Sequence, residues 1–255
     1  MNPERICTLL IALFLSLYTF AQPTKVIVRA KAKDAKFIGT GIGGAYIVIR
    51  NDLTGEILAK GLTTGASGNT DLIMKTPYTR NLPLTDEKTA KFETLIDIKE
   101  PTFVTIEAIA PVNRKSAAVT VSTQLWLIPG KAIDGEGVVL EIPGFILDIL
   151  EPQTHQVIQI ASLKNNQVKI KINLVMMCGC VINKGGIWNA DNIDVKALVK
   201  KDGTPQNEVV LKSIQDNIFE GLLPVSDKGN YEIQVYAYDK VTKNTGVDKI
   251  NFVIQ

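Results

Sequence analysis

The stretch Gly229-Asn230-Tyr231-Glu232-Ile233-Gln234-Val235-Tyr236-Ala237-Tyr238-Asp239 decides the fold. Tyr231, Ile233, Val235 and Ala237 alternate with Glu232 and Gln234, and a period of two marks a strand with one face on a core and the other in water. The same period recurs upstream. Val168, Ile170, Ile172 and Leu174 alternate with Lys169, Lys171 and Asn173, and Ile193, Val195, Ala197 and Val199 alternate with Asp194, Lys196, Leu198 and Lys200. Earlier strands are expected at Lys25–Ala32, Ala45–Asn51, Glu56–Thr64, Phe103–Ala110 and Ala117–Ile128. Turn-forming clusters separate them, among them Asn51–Gly55, Gly65–Asn69, Pro129-Gly130 and Asp227–Asn230. One segment, Thr85–Ile96, reads either as a helix capped by Thr85, with Asp86 and Glu87 in its first turn, or as a polar excursion between strands. Short strands with little helix predict an all-β protein of the sandwich type, and no 20–50 residue repeat points to a solenoid.

The first 21 residues read as a cleaved secretion signal. Arg5 gives a positive start, Ile6–Tyr18 is almost wholly apolar, and Thr19 and Ala21 place small residues at the cleavage positions. The apolar run is too short to span a bilayer, which needs roughly 20 residues, and no later segment is long enough. The mature chain, expected to be exported to the periplasm or cell surface, exceeds a single typical domain. A proline-containing junction at Leu150-Glu151-Pro152-Gln153 follows the apolar run Val138–Leu150 and divides it into 23–152 and 153–255. The net charge of +2 provides no basic field for nucleic acid and no acidic tail. Only Cys178 and Cys180 follow the signal, too few for a disulfide scaffold, so stability must come from apolar cores.

Two resemblances add to this reading. Ala45–Asn69, a strand, a Thr54-Gly55-Glu56 hairpin and a second turn ending in glycine, resembles the transthyretin-like or carboxypeptidase-regulatory β-sandwich. Gly229–Asp239, with Asn244-Thr245-Gly246 and Ile250–Ile254, is similar to the last hairpin of bacterial immunoglobulin-like and fibronectin-III-like domains. That resemblance implies that Tyr231 ties a corner through its hydroxyl to upstream backbone, with a plain core tyrosine as the alternative. The immunoglobulin disulfide is missing, since Ile233 stands at the second cysteine position. These families imply adhesive, spacer or carbohydrate-contacting modules and no catalytic residues.

Little catalytic chemistry is written in the chain. Gly39-Thr40-Gly41-Ile42-Gly43-Gly44 fits a nucleotide-loop pattern but leads into the strand-like Ala45–Arg50, whereas a dinucleotide site needs a helix there. The single histidine, His155, has no nucleophile motif around it. The run Met176-Met177-Cys178-Gly179-Cys180 carries three readings. Continued alternation puts Met176, Cys178 and Cys180 inward as core. A disulfide requires the strand to break at Gly179, because residues two apart on a strand are too distant. A soft-metal site would use Met176, Cys178 and Cys180 for copper, with His155 joining if folding brings it close. Trp188, in a Gly-rich loop, reads as a ligand-stacking residue or as a plug at the end of a sandwich. The expectation is an exported non-enzymatic β-sandwich protein that binds, adheres to or spaces an envelope protein or glycan. A periplasmic copper-binding protein is the rival and an envelope hydrolase a distant third.

Overall fold

The computed structural model describes residues 23–255, and the expected signal, 1–21, lies outside the described residues. Seven strands build the N-terminal half: β1 (Thr24–Ala32), β2 (Tyr46–Asn51), β3 (Ile57–Leu62), β4 (Phe92–Ile96), β5 (Thr102–Ala110), β6 (Val119–Leu127) and β7 (Ile133–Ile142). They form two sheets, ordered β4-β1-β7 and β3-β2-β5-β6. Val26, Val28 and Ala30 of β1 are buried with Ile47 and Ile49 of β2 and Val104, Ile106 and Ala108 of β5. Strand β1 is buried almost along its length and pairs antiparallel with β4 and parallel with β7.

The second half contributes β8 (Phe145–Glu151), β9 (Val157–Ile158), β10 (Gln167–Met176), β11 (Ile193–Lys201), β12 (Thr204–Pro205), β13 (Val209–Gln215), β14 (Ile218–Pro224), β15 (Gly229–Asp239) and β16 (Thr245–Ile254). Their order is β8-β10-β14-β13-β11-β15-β16-β9, with β12 beside β11. The path folds at β13. Its first residues, Val209–Leu211, pair with β11, and its later ones, Lys212–Gln215, pair with β14. A strand that changes partners midway turns one sheet into two facing layers. Gly246 of β16 closes the far side: a Cβ there would lie 2.9 Å from the Phe145 Cβ, so glycine lets β16 approach β8. Burial alternates residue by residue along β10, β11, β15 and β16, as the sequence reading required. The protein is therefore all-β, with two sandwiches.

The strand pairings bear on two of the sequence readings. Phe145–Glu151, read as the end of the first half, pairs with β10, so the sheets change partners at Pro143-Gly144 and not at Glu151-Pro152. The Pro-Gly pair splits an apolar run that had looked like one segment. Thr85–Ile96 is the polar excursion followed by strand β4, not a helix. Asp86 accepts hydrogen bonds from the Lys88 and Thr89 amides and the Thr89 hydroxyl, closing a turn where a helix would have begun. Among the described residues the α-helix is a single short one, Thr70–Met74, whose start is capped by Asn69 Oδ1 accepting from the Asp71 and Leu72 amides.

The halves are tied together. Asn244 accepts from the Gly144 amide at 2.9 Å and donates to the Lys33 carbonyl at 3.1 Å. Arg114, in the β5–β6 connection, pairs with Asp148 of β8 and, at 3.2 Å, with Asp248 of β16. Burial holds the Asp148 carboxyl above its ordinary range despite that pairing. One continuous cluster of buried apolar side chains runs through both halves.

Candidate functional site

The residues singled out from sequence do not assemble into one centre. Strand β10 stops at Met176, and the chain turns: the Gly179 amide donates to the Met176 carbonyl at 2.7 Å and the Met176 amide to the Cys180 carbonyl at 3.2 Å. Gly179 has φ +76°, the left-handed region that glycine enters without strain. The turn joins Cys178 and Cys180 in a disulfide with their Cα atoms 5.4 Å apart. Continued alternation is thus replaced by a break at Gly179. Met176, Met177 and Cys178 are buried and Cys180 is half-buried.

His155 is remote from this turn. In the β8–β10 pair Phe145 faces Met176 and Glu151 faces Lys171. The cysteines therefore follow one end of the ladder and His155 the other, about 17 Å away along five residues of strand. The His155 amide is held by the Asn251 carbonyl. With both sulfurs bonded to one another and His155 at the opposite end, the copper set of Met176, Cys178, Cys180 and His155 does not come together. No group of three His, Cys, Asp or Glu side chains able to hold a metal is found among the described residues.

Trp188 serves a structural bond. Its loop is pinned by the Asn183 amide donating to the Trp188 carbonyl and the Ala190 amide donating to the Asn183 carbonyl. Its indole N–H donates to the Asp34 carbonyl at 2.9 Å, across to the N-terminal half. The half-buried ring is held by this bond between the halves.

A different aromatic stands open. On the outward face of β3-β2-β5-β6, Trp126 is 59% exposed, and its ring centroid lies 5.1 Å from that of Phe103, its cross-strand neighbour. Period two places Phe103, Thr105 and Glu107 of β5 on this face, opposite Trp126, Gln124 and Ser122 of β6. Beside the rings, Asp52 Oδ1 accepts from the Thr105 hydroxyl at 2.6 Å and from Gln124 Nε2 at 2.8 Å. Arg50 and Glu107 pair at 3.2 Å in the next row. The β2–β3 hairpin rises at the same end, shaped by Asn51 Oδ1 accepting from the Leu53 and Thr54 amides, and leaves Leu53 92% exposed. The result is a nearly neutral platform with two adjoining rings, an apolar tip and side chains already held in place. Sequence reading passed over it because Trp126 matched no motif. The available signal was Trp126 occupying the solvent phase of an alternating strand, where Thr120, Ser122 and Gln124 also stand.

In the C-terminal sandwich the Tyr231 hydroxyl donates to the Asp227 carbonyl at 2.9 Å, four residues upstream, and its ring stacks on Phe252 at 5.3 Å. Burial raises the phenol's pKa. The corner expected of an immunoglobulin-like hairpin is formed. A shallow cleft of about 420 Å³ opens next to it, lined by residues that include Glu208, Val210, Leu222 and Asp227. Within it the Ser226 hydroxyl donates to Asp227 Oδ2 at 2.7 Å.

No protein-family model and no curated protein sequence matches the chain. Among solved structures, an engineered protein aligns over 46% of this chain and 22% of its own length at 11% identity and a TM-score of 0.33. Fibronectin(III)-like modules of Clostridium thermocellum CbhA align over 93% of this chain and 92% of theirs, at 13% identity and a TM-score of 0.30. A DUF3823 family protein from Bacteroides uniformis aligns over 91% and 100%, at 9% identity and a TM-score of 0.29. The strand pairings themselves define the architecture.

Proposed function

We propose that this chain is an exported, non-enzymatic binding module of the cell envelope, with two sandwich units, 23–143 and 144–255, and a glycan-contacting platform on its β3-β2-β5-β6 sheet. The observation that carries the reading is the exposed Trp126–Phe103 pair beside the fixed Asp52, Thr105 and Gln124 groups. Aromatic rings offer a flat apolar surface to the C–H face of a sugar, and preset polar side chains answer its hydroxyls. Site-bearing loops and faces on a rigid β scaffold suit such a role. Export to the periplasm or cell surface rests on the N-terminal signal pattern, and the likeness of Ala45–Asn69 to transthyretin-like modules supports a binding role for the first unit. Co-sedimentation with insoluble polysaccharides tests the reading. Retention of the native protein, with about tenfold less retained for Trp126→Ala, is the expected result, since a stacking aromatic is typically a dominant contact. Capture of an envelope protein with no polysaccharide retained would replace the glycan with a protein partner.

A further inference from the structure

The Cys178–Cys180 turn carries chemistry that a structural crosslink does not need. A disulfide stabilises chiefly by closing a long loop in the unfolded chain, and this one encloses a single residue, Gly179. Met176 and Met177 beside it are fully buried, Cys178 belongs to the same apolar core, and Cys180 packs against that core. Cys178 and Gly179 form one wall of a cleft of about 280 Å³. The opposite wall is Gly39, Gly41 and Ile42, with Gly65, Ala66 and Ser67 beyond. Four glycines, Ala66 and Ser67 leave this cleft uncharged, and Ile42 is the one large apolar side chain in its wall. On the other side of the bond Cys180 is half-buried and in contact with water, whereas Cys178 is 8% exposed.

We infer that Cys178–Cys180 is an exchange-competent disulfide that accepts two electrons from small thiols entering the cleft of Gly39, Gly41, Gly65 and Gly179. The thiolate of the entering molecule attacks Cys178 Sγ and forms a mixed disulfide. The Cys178–Cys180 bond breaks, and its electron pair leaves on Cys180 Sγ, the sulfur that water can reach and solvate. A second thiolate then attacks the small molecule's own sulfur in the mixed disulfide. It departs as the oxidised dimer, and the electron pair of the broken bond stays on Cys178. The two protons lost by the thiols finish on Cys178 and Cys180. An added small-molecule disulfide drives the same steps in reverse. The backbone hydrogen bonds of the turn, Gly179 to Met176 and Met176 to Cys180, do not involve sulfur, so the fold survives the reduced state.

The test uses the intact mature protein, reduced glutathione and rapid alkylation under native conditions, with far-ultraviolet circular dichroism followed in parallel. The expected result is two alkylatable thiols per molecule, an unchanged spectrum, and full recovery of the disulfide on adding oxidised glutathione. Gly41→Leu probes the route. Gly41 lines the cleft and a Cβ there meets nothing within 4 Å, so the fold accepts a larger side chain, which adds bulk at the rim of the cleft. Exchange in that variant should slow about tenfold, because exchange rates depend on access to the sulfur. Thiols that appear only on unfolding would overturn the inference. So would thiols that stay free in the presence of oxidised glutathione, or equal exchange rates in the native and Gly41→Leu proteins.

Discussion

Arg29 and Tyr231 show how differently single residues announce themselves. The resemblance to an immunoglobulin-like hairpin had marked Tyr231 as a corner residue, beside the plain core reading, and its hydroxyl bonds the Asp227 carbonyl four residues upstream. Replacing it with Phe should lower stability by about 1 kcal/mol, the usual net worth of one hydrogen bond, read as a shift in the urea midpoint with an unchanged slope. Arg29 was not legible. Only 3% exposed on β1, it donates to the carbonyls of Thr89 at 2.6 Å, Ala90 at 2.9 Å and Glu136 at 3.2 Å. Burial lowers its pKa, but the guanidinium stays charged because no deprotonated form is accessible near neutrality. Backbone acceptors 60 and 107 residues away leave no trace in residue types. Arg29→Met should cost about 3 kcal/mol, since it leaves several buried carbonyls without donors. It should also speed trypsin cleavage after Lys88 and Lys91, because the segment that Arg29 holds would come loose.

At the scale of elements, alternation located strands well and their boundaries less well. Strands β10, β11, β15 and β16 were readable because one face of each is buried and the other is wet. Thr85–Ile96 was harder: its polar start carries helix-cap residue types, and the same Asp86 and Thr89 side chains satisfy one another in a turn. Phe92–Ile96 then pairs with β1, and long-range pairing outweighs local propensity. Glu93 of β4 cements that pairing. Hydrogen bonds from Lys91 and then Lys25, at 2.8 and 2.9 Å, pull its carboxyl down from 4.5 to about 2. A depressed carboxylate adds stability that is full above pH 4.5 and disappears as pH falls towards 2. Glu93→Gln should therefore lower the melting temperature slightly at pH 7 and leave it unchanged at pH 2. Equal effects at both pH values would mean that the charge is not what holds β4. The Cys-x-Cys turn belongs here too. A break at Gly179 was one of three readings, and only the turn geometry decides among them.

For the whole molecule, a two-unit organisation was legible but the joint was not. Pro143-Gly144 looked like an interruption within one apolar run, and the pairing of β8 with β10 joins residues far apart in the chain, such as Phe145 and Met176. Asn244 links the joint to β1, as Trp188 does through Asp34. Asn244→Ala should cost about 2 kcal/mol, because it strands the Gly144 amide and the Lys33 carbonyl. Calorimetry should still show a single transition in the native protein, and two resolved transitions would mean that the halves fold independently. The proposed platform lies on the β3-β2-β5-β6 sheet, and Trp126→Ala should cost no more than about 1 kcal/mol, the worth of one cross-strand aromatic contact. The chain holds two tryptophans, Trp126 and Trp188, so binding at the sheet can be read from emission. In Trp188→Phe the emission comes from Trp126 alone, at the centre of the proposed glycan surface. Titrating that variant with a panel of soluble polysaccharides should give, for at least one of them, a saturable blue shift as a sugar ring displaces water from the indole. Emission that stays water-like with every polysaccharide, while the native protein still binds one, would contradict the assignment of the site to this sheet.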